Sequence, residues 1–151
     1  RGDLTVMQRT GKKYALTNKE YEILKVLWAS ETPLTASNIV ERGDALSINT
    51  VQATLKKLLK REFIRVDQIV YSGTVLSRAY LPSMSQEEFE TQKYMDSMKQ
   101  LHNDNFTCSH FMAAFLGQEH DREKALQEID ELESLLKKKK QELIKKGADN
   151  L

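Results

Sequence analysis

The 151-residue chain has one cysteine, Cys108, and only two prolines. A single thiol cannot build an internal disulfide framework, and it fits a reducing cytosol. No apolar run approaches the ~20 residues that a membrane-spanning helix needs. No signal-peptide apolar region opens the chain either, so a cytoplasmic protein without membrane insertion is expected. There is no glycine-rich phosphate loop and no G-x-S-x-G elbow. His102, Cys108, His110 and His120 are the only imidazoles and thiol. Cys108-x-His110 lacks the paired spacing of a zinc site, and a cysteine beside an apolar helix is usually a small buried residue. Neither enzyme chemistry nor a metal or cofactor is expected.

What is present suits a globular protein: 40% hydrophobic and 30% charged residues, in a length that allows one large domain or two small ones. The net charge of +1 does not announce nucleic acid. Its distribution is more informative. Between Ser47 and Arg65 stand Lys56, Lys57, Lys60, Arg61 and Arg65 against Glu62 alone, an excess that attracts phosphates. On charge alone this is equally a solvated helix face; its place in the fold has to decide.

Residues 1–15 show little periodicity and read as a flexible tail. Thr17 and Glu20 form a capping box, and Tyr21, Leu24, Leu27 and Trp28 follow at helical spacing, with Ile23 widening the stripe. That helix ends near Ser30, ahead of Pro33. Thr35 caps a short second helix that Gly43 ends. Ser47 caps a third, with Val51, Leu55, Leu58 and Leu59 on one face and Asn49, Gln52, Lys56 and Lys60 in a row on the other. Phe63 to Val66 and Ile69 to Tyr71 then read as strand, Ser72-Gly73 as a turn, and Thr74 to Leu81 as the returning strand, stopped by Pro82. Three short helices followed by a hairpin is the order of a winged helix-turn-helix domain, here residues 16–82.

The remainder, residues 83–151, reads as helical. Ser85 caps a helix whose apolar side is Phe89, Met95, Met98 and Leu101, and His102 to Asn105 make a polar break. Phe106 to Leu116 is a short apolar helix ended by Gly117. Asp121 starts the longest helix, expected to run to about Lys146 with Gly147 as its C-cap. In it Ile129, Leu136 and Leu143 recur every seven residues with Leu132 between, a heptad fragment suited to pairing in a dimer. Acids lead this helix and lysines end it, as its dipole favours. The fold class expected is mainly α with a small β-hairpin wing, the second half serving as a helical dimerisation domain.

Leu16-Thr17-x-x-Glu20-x-x-Ile23-Leu24-x-x-Leu27-Trp28 resembles the penicillinase-repressor family, the BlaI/MecI/CopY group of bacterial regulators. Thr50 to Ile64 resembles that family's recognition helix running into its first wing strand, and Arg78-Ala79-Tyr80-Leu81-Pro82 its returning strand. The resemblance covers about Leu16 to Lys146. It implies a cytoplasmic homodimer that represses transcription from a dyad-symmetric operator. It also implies release either by a membrane sensor protease that cuts the dimerisation domain or by metal captured on a C-terminal cysteine cluster. That cluster is absent here. The family's Asn-Phe cleavage pair would fall near Ala114-Phe115, whereas this chain has Asn105-Phe106, about nine residues earlier. Three further departures stand out: Ala53 where threonine is frequent, Glu62 where a helix-ending glycine is frequent, and a longer, more apolar wing, which suggests a packing role.

The third helix supplies the residues expected at DNA. An α-helix fits the major groove and meets base edges through its N-terminal turns. Asn49, Thr50, Gln52 and Ala53 are therefore the candidate base readers, and Lys56, Lys57, Lys60 and Arg65 the candidate phosphate contacts. Met98, Leu101, Phe111, Phe115, Ile129, Leu132, Leu136 and Leu143 are the candidate dimer contacts. Two rival functions remain. One is a ligand-responsive winged-helix regulator, with Tyr71, Met98, Phe106, Phe111 and Met112 lining a small-molecule pocket between its domains. The other is a winged helix used only for protein contacts.

Overall fold

The computed structural model describes residues 13–101 and 107–150, the side chain of Leu101 excepted. The expectations for residues 1–12, for the polar break at 102–105 and for the Asn105-Phe106 pair lie outside these residues. The chain divides into two compact units, Arg1–Gln100 and Leu101–Leu151.

In the first unit the elements run α1 (Asn18–Trp28), β1 (Leu34–Thr35), α2 (Ala36–Arg42), α3 (Ile48–Lys60), β2 (Ile64–Ser72), β3 (Val75–Pro82) and α4 (Gln86–Leu101). Local chemistry sets the helix starts. Thr17 and Glu20 cap α1 reciprocally, each backbone N–H donating to the other's side chain at 3.2 Å. Thr35 and Asn38 do the same for α2, Ser47 caps α3, and Ser85 and Glu88 cap α4. Such caps satisfy N–H groups that the first helical turn leaves open.

The three strands form an antiparallel sheet in the order β1-β3-β2. β1 pairs only Leu34 with Tyr80 and Thr35 with Ala79, too short a run to show in the sequence. β2 and β3 pair from Ile64↔Pro82 to Ser72↔Val75, with an irregularity between Val66 and Gln68. Gly73, first of the two turn residues, has φ 67°, a sign that favours glycine in a two-residue hairpin turn.

Ile23, Leu24 and Leu27 of α1, Ile39 of α2 and Val51, Leu55 and Leu58 of α3 meet in one core beneath Leu34 and Ile64. Phe89 of α4 is fully buried in the same core. It lies among Tyr14, Trp28 and Phe63 at ring separations of 5.4–5.7 Å, distances at which inclined aromatic rings attract. The Trp28 indole N–H donates to the Met84 carbonyl at 2.9 Å, and the Tyr21 hydroxyl to Glu90 at 2.7 Å. That bond to Glu90, with burial behind it, raises the Tyr21 pKa above its ordinary value. Helix α4, which sequence periodicity groups with the second half, is thus rooted in the winged-helix core. Tyr14, inside the segment read as a tail, packs on Phe63 and Phe89.

The second unit holds α5 (Cys108–Leu116), capped by Thr107 and ended at Gly117, and α6 (Arg122–Asp149), capped by Asp121. The structure corrects the expected end of α6: the helix continues through Gly147 to a C-cap at Asn150. Neither helix contains a buried residue. Cys108, expected to be buried, is exposed.

Candidate nucleic-acid interface

Helix α3 is built with two faces. Val51, Thr54, Leu55 and Leu58 are buried, and the Thr54 hydroxyl donates to the Thr50 carbonyl at 2.7 Å, which satisfies it inside the core. Asn49, Gln52, Ala53, Lys56, Lys57 and Lys60 are exposed. With one face fixed by the core, the other is held at a defined angle beside the wing.

An open cleft of about 810 Å³ runs between α3 and β3, lined by Asn49, Gln52, Ala53, Lys56, Lys57, Leu59, Arg78 and Tyr80. Three of the four candidate base readers therefore share one surface with two of the candidate phosphate contacts. Thr50 is set differently: half-buried, its hydroxyl accepts from Ser47 at 2.8 Å in the N-cap. Lys60 extends the exposed row one turn further along α3.

Arg65 is not part of this group. It pairs with Leu81 in the hairpin, and Tyr80, which lines the cleft, pairs with the adjacent Val66. Neighbouring strand residues point to opposite sheet faces, so Arg65 lies across the sheet from α3. It lines a separate cleft with Leu27, Trp28 and Met84 and sits 3.7 Å from Asp67.

Arg78 stands in its place. Two residues before Tyr80 on β3, it shares the face of Tyr80 and lines two adjoining clefts, each of which also contains Gln52. The sequence pattern marks this arginine only as part of a returning strand. The two-residue period from Tyr80 was the signal available.

Arg61, the remaining member of the basic run, has a structural role. Its guanidinium donates to Glu20 at 2.8 Å and to the carbonyls of Lys13 and Ala15 at 2.6 and 3.1 Å, and lies over the Phe63 ring. Burial alone would raise the Glu20 pKa, but the hydrogen bonds from Thr17 and the Arg61 cation outweigh it and hold the carboxyl below its ordinary value.

The wing beyond the core is apolar and open. Ile69, Tyr71, Val75 and Leu76 are each 60–75% exposed, so within the described residues the packing role suggested by its composition is not seen.

The family model of the penicillinase repressors matches residues 16–138. The chain belongs to the penicillinase-repressor family. Family and architecture are those of DNA-binding, helix-turn-helix transcriptional repressors rather than enzymes. Among solved structures, the Staphylococcus aureus MarR in complex with salicylate and kanamycin is similar at 15% identity, over 89% of this chain and 80% of that one, with a TM-score of 0.39. The winged-helix assignment rests on element order and strand register, not on that likeness. A comparison with curated proteins returned no match. No helix among the described residues is long and apolar enough to cross a membrane.

Proposed function

We propose that this repressor acts in the cytoplasm as a homodimer on a dyad-symmetric double-stranded operator, in the manner of repressors of β-lactamase and other antibiotic-resistance genes. The observation that carries the reading is the α3 surface. One face is locked into the core, while Asn49, Gln52, Ala53, Lys56 and Lys57 stand exposed at a single cleft beside Arg78. In the major groove, Gln52 in the second turn of α3 reads adenine through its amide, Asn49 reaches a base or phosphate, and Ala53 and Thr50 touch thymine methyls. Lys56, Lys57 and Lys60 neutralise flanking phosphates, which set affinity and register. Arg65, on the other side of the sheet, would reach only a phosphate that passes the far side of the wing.

Residues 16–82 are assigned to the operator and those beyond Ser83 to the dimer, with α4 serving both: its Phe89 belongs to the winged-helix core, and its far end carries Met98 and Leu101. The dimer contacts proposed are Met98, Leu101, Phe111, Phe115, Ile129, Leu132, Leu136 and Leu143. Phe111 and Phe115 stack at 6.2 Å yet are 38% and 59% exposed, and Leu136 and Leu143 are similarly open, at 67% and 59%. A second copy supplies the core that the second unit lacks. The membrane sensor protease known from the family is the partner proposed for release.

Two substitutions on α3 test the DNA reading. Gln52→Ala should cost about 1–3 kcal/mol on the operator and little on random DNA. Lys57→Ala should weaken both alike and reduce the salt slope by about one for each phosphate no longer neutralised. Equal losses on both DNAs for Gln52→Ala would remove Gln52 as a reader and turn attention to Asn49 or Lys56.

A further inference from the structure

Helix α6 carries more than its share of the second unit's unpartnered surface. Its 28 residues span about 42 Å, whereas the nine residues of α5 span about 13 Å. Ala125, Glu128, Ile129 and Leu132 in the first half of α6 are half-buried, but every residue from Glu133 to Asn150 is exposed. Leu135, Leu136, Leu143 and Ile144 are each about 60% exposed or more. A free helix would not hold these leucines in water at such density, so this stretch calls for an apolar partner.

The charges say which way round the partner lies. Glu123, Glu128, Asp130, Glu131 and Glu133 dominate the first half, and Lys137 to Lys140 with Lys145 and Lys146 the second. A second copy laid parallel would set the lysine run against itself and the acids against themselves. Turned end for end about a two-fold axis near Leu135 and Leu136, it sets Lys137–Lys140 within a turn of Asp130–Glu133, and Leu143 and Ile144 near Leu126 and Ile129. In a two-fold interface each such contact occurs twice, and charges flanking an apolar seam choose partner orientation.

We infer that the α6 helices of two copies pair antiparallel, the lysine-rich half of each lying on the acidic half of the other. This rests on the homodimer reading and adds the orientation and the role of the lysine run, which is thereby assigned to the partner copy rather than to DNA.

Sedimentation equilibrium of the full chain tests it. For the unmodified dimer, raising salt from about 0.05 to 0.5 M screens the ion pairs and should weaken dimerisation several-fold. Replacing Lys137, Lys138, Lys139 and Lys140 together by glutamate should weaken it at least tenfold, with helix content unchanged by circular dichroism. Spin labels at Lys145, in a Cys108→Ser background, should lie about 30 Å apart in the dimer, against about 10 Å for parallel helices. A dimer that strengthens with salt, ignores the four substitutions or brings the two labels together overturns the antiparallel pairing and leaves the dimer standing. A chain that stays monomeric at every concentration overturns both.

Discussion

Glu62 is where one residue bears a cost that its neighbours impose. It follows α3 with φ 62°, in the left-handed region that costs a side-chain-bearing residue about 1–2 kcal/mol. The conformation is fixed by two bonds: the Glu62 N–H donates to the Leu59 carbonyl and the Phe63 N–H to the Leu58 carbonyl. That is the paired pattern that closes a helix and normally employs glycine. Glu62 also brings a negative charge to the C-terminal end of α3, where the helix dipole disfavours it. Glu62→Gly should therefore raise stability by about 1 kcal/mol, read as a higher urea midpoint, and an unchanged or lower midpoint would contradict this. Glu20 gives a pH-dependent counterpart. Its folded pKa is lowered, so its contribution is complete above the unfolded glutamate pKa near 4.3 and is lost as pH falls through the folded value. Glu20→Gln retains an oxygen to accept from the Thr17 N–H but no charge for Arg61. Its melting temperature should fall below that of the unmodified chain at pH 7, with the gap closing below about pH 4. A gap that persists in acid would place the effect in packing rather than in the ion pair.

At the scale of elements, what was legible and what was not divides along sequence distance. The starts of α1, α2, α3, α4 and α6 could be read because Thr17, Thr35, Ser47, Ser85 and Asp121 each act on N–H groups two or three residues away. The two faces of α3 followed from its period. Contacts across the chain left no such trace. Phe89 belongs to the core through Tyr14, Trp28 and Phe63, and nothing in the spacing of α4 says so. Arg61 and Arg78 look interchangeable as cations, yet one is bound to Glu20 and the other stands beside Gln52. Gly43 was legible as a helix end but not for its reason. It is extended, with φ −82°, and a Cβ there would meet the Leu46 side chain at 2.5 Å. The position of Phe89 also bears on where the chain can be cut. Phe89→Ala should cost about 3–5 kcal/mol, and a fragment ending at Pro82 should melt well below one ending at Gln100. Equal melting temperatures would mean that α4 is not part of the winged-helix core.

For the whole molecule, the proposed function divides a repressor's labour between the two units. The first has its own core and holds the exposed face of α3 at a fixed angle; among the described residues the helices of the second have none that is buried. In the proposed dimer, pairing through the second unit would double the first, and two α3 helices related by a two-fold axis would each read half of a symmetric site. Selection of bound sequences from a pool of random duplexes by the full chain tests this most directly. The account predicts enrichment of an inverted repeat whose half-site centres lie about 10 bp, or a multiple of it, apart, with Gln52→Ala relaxing the preference at one position in each half. A single asymmetric site, or no enriched sequence at all, would contradict it.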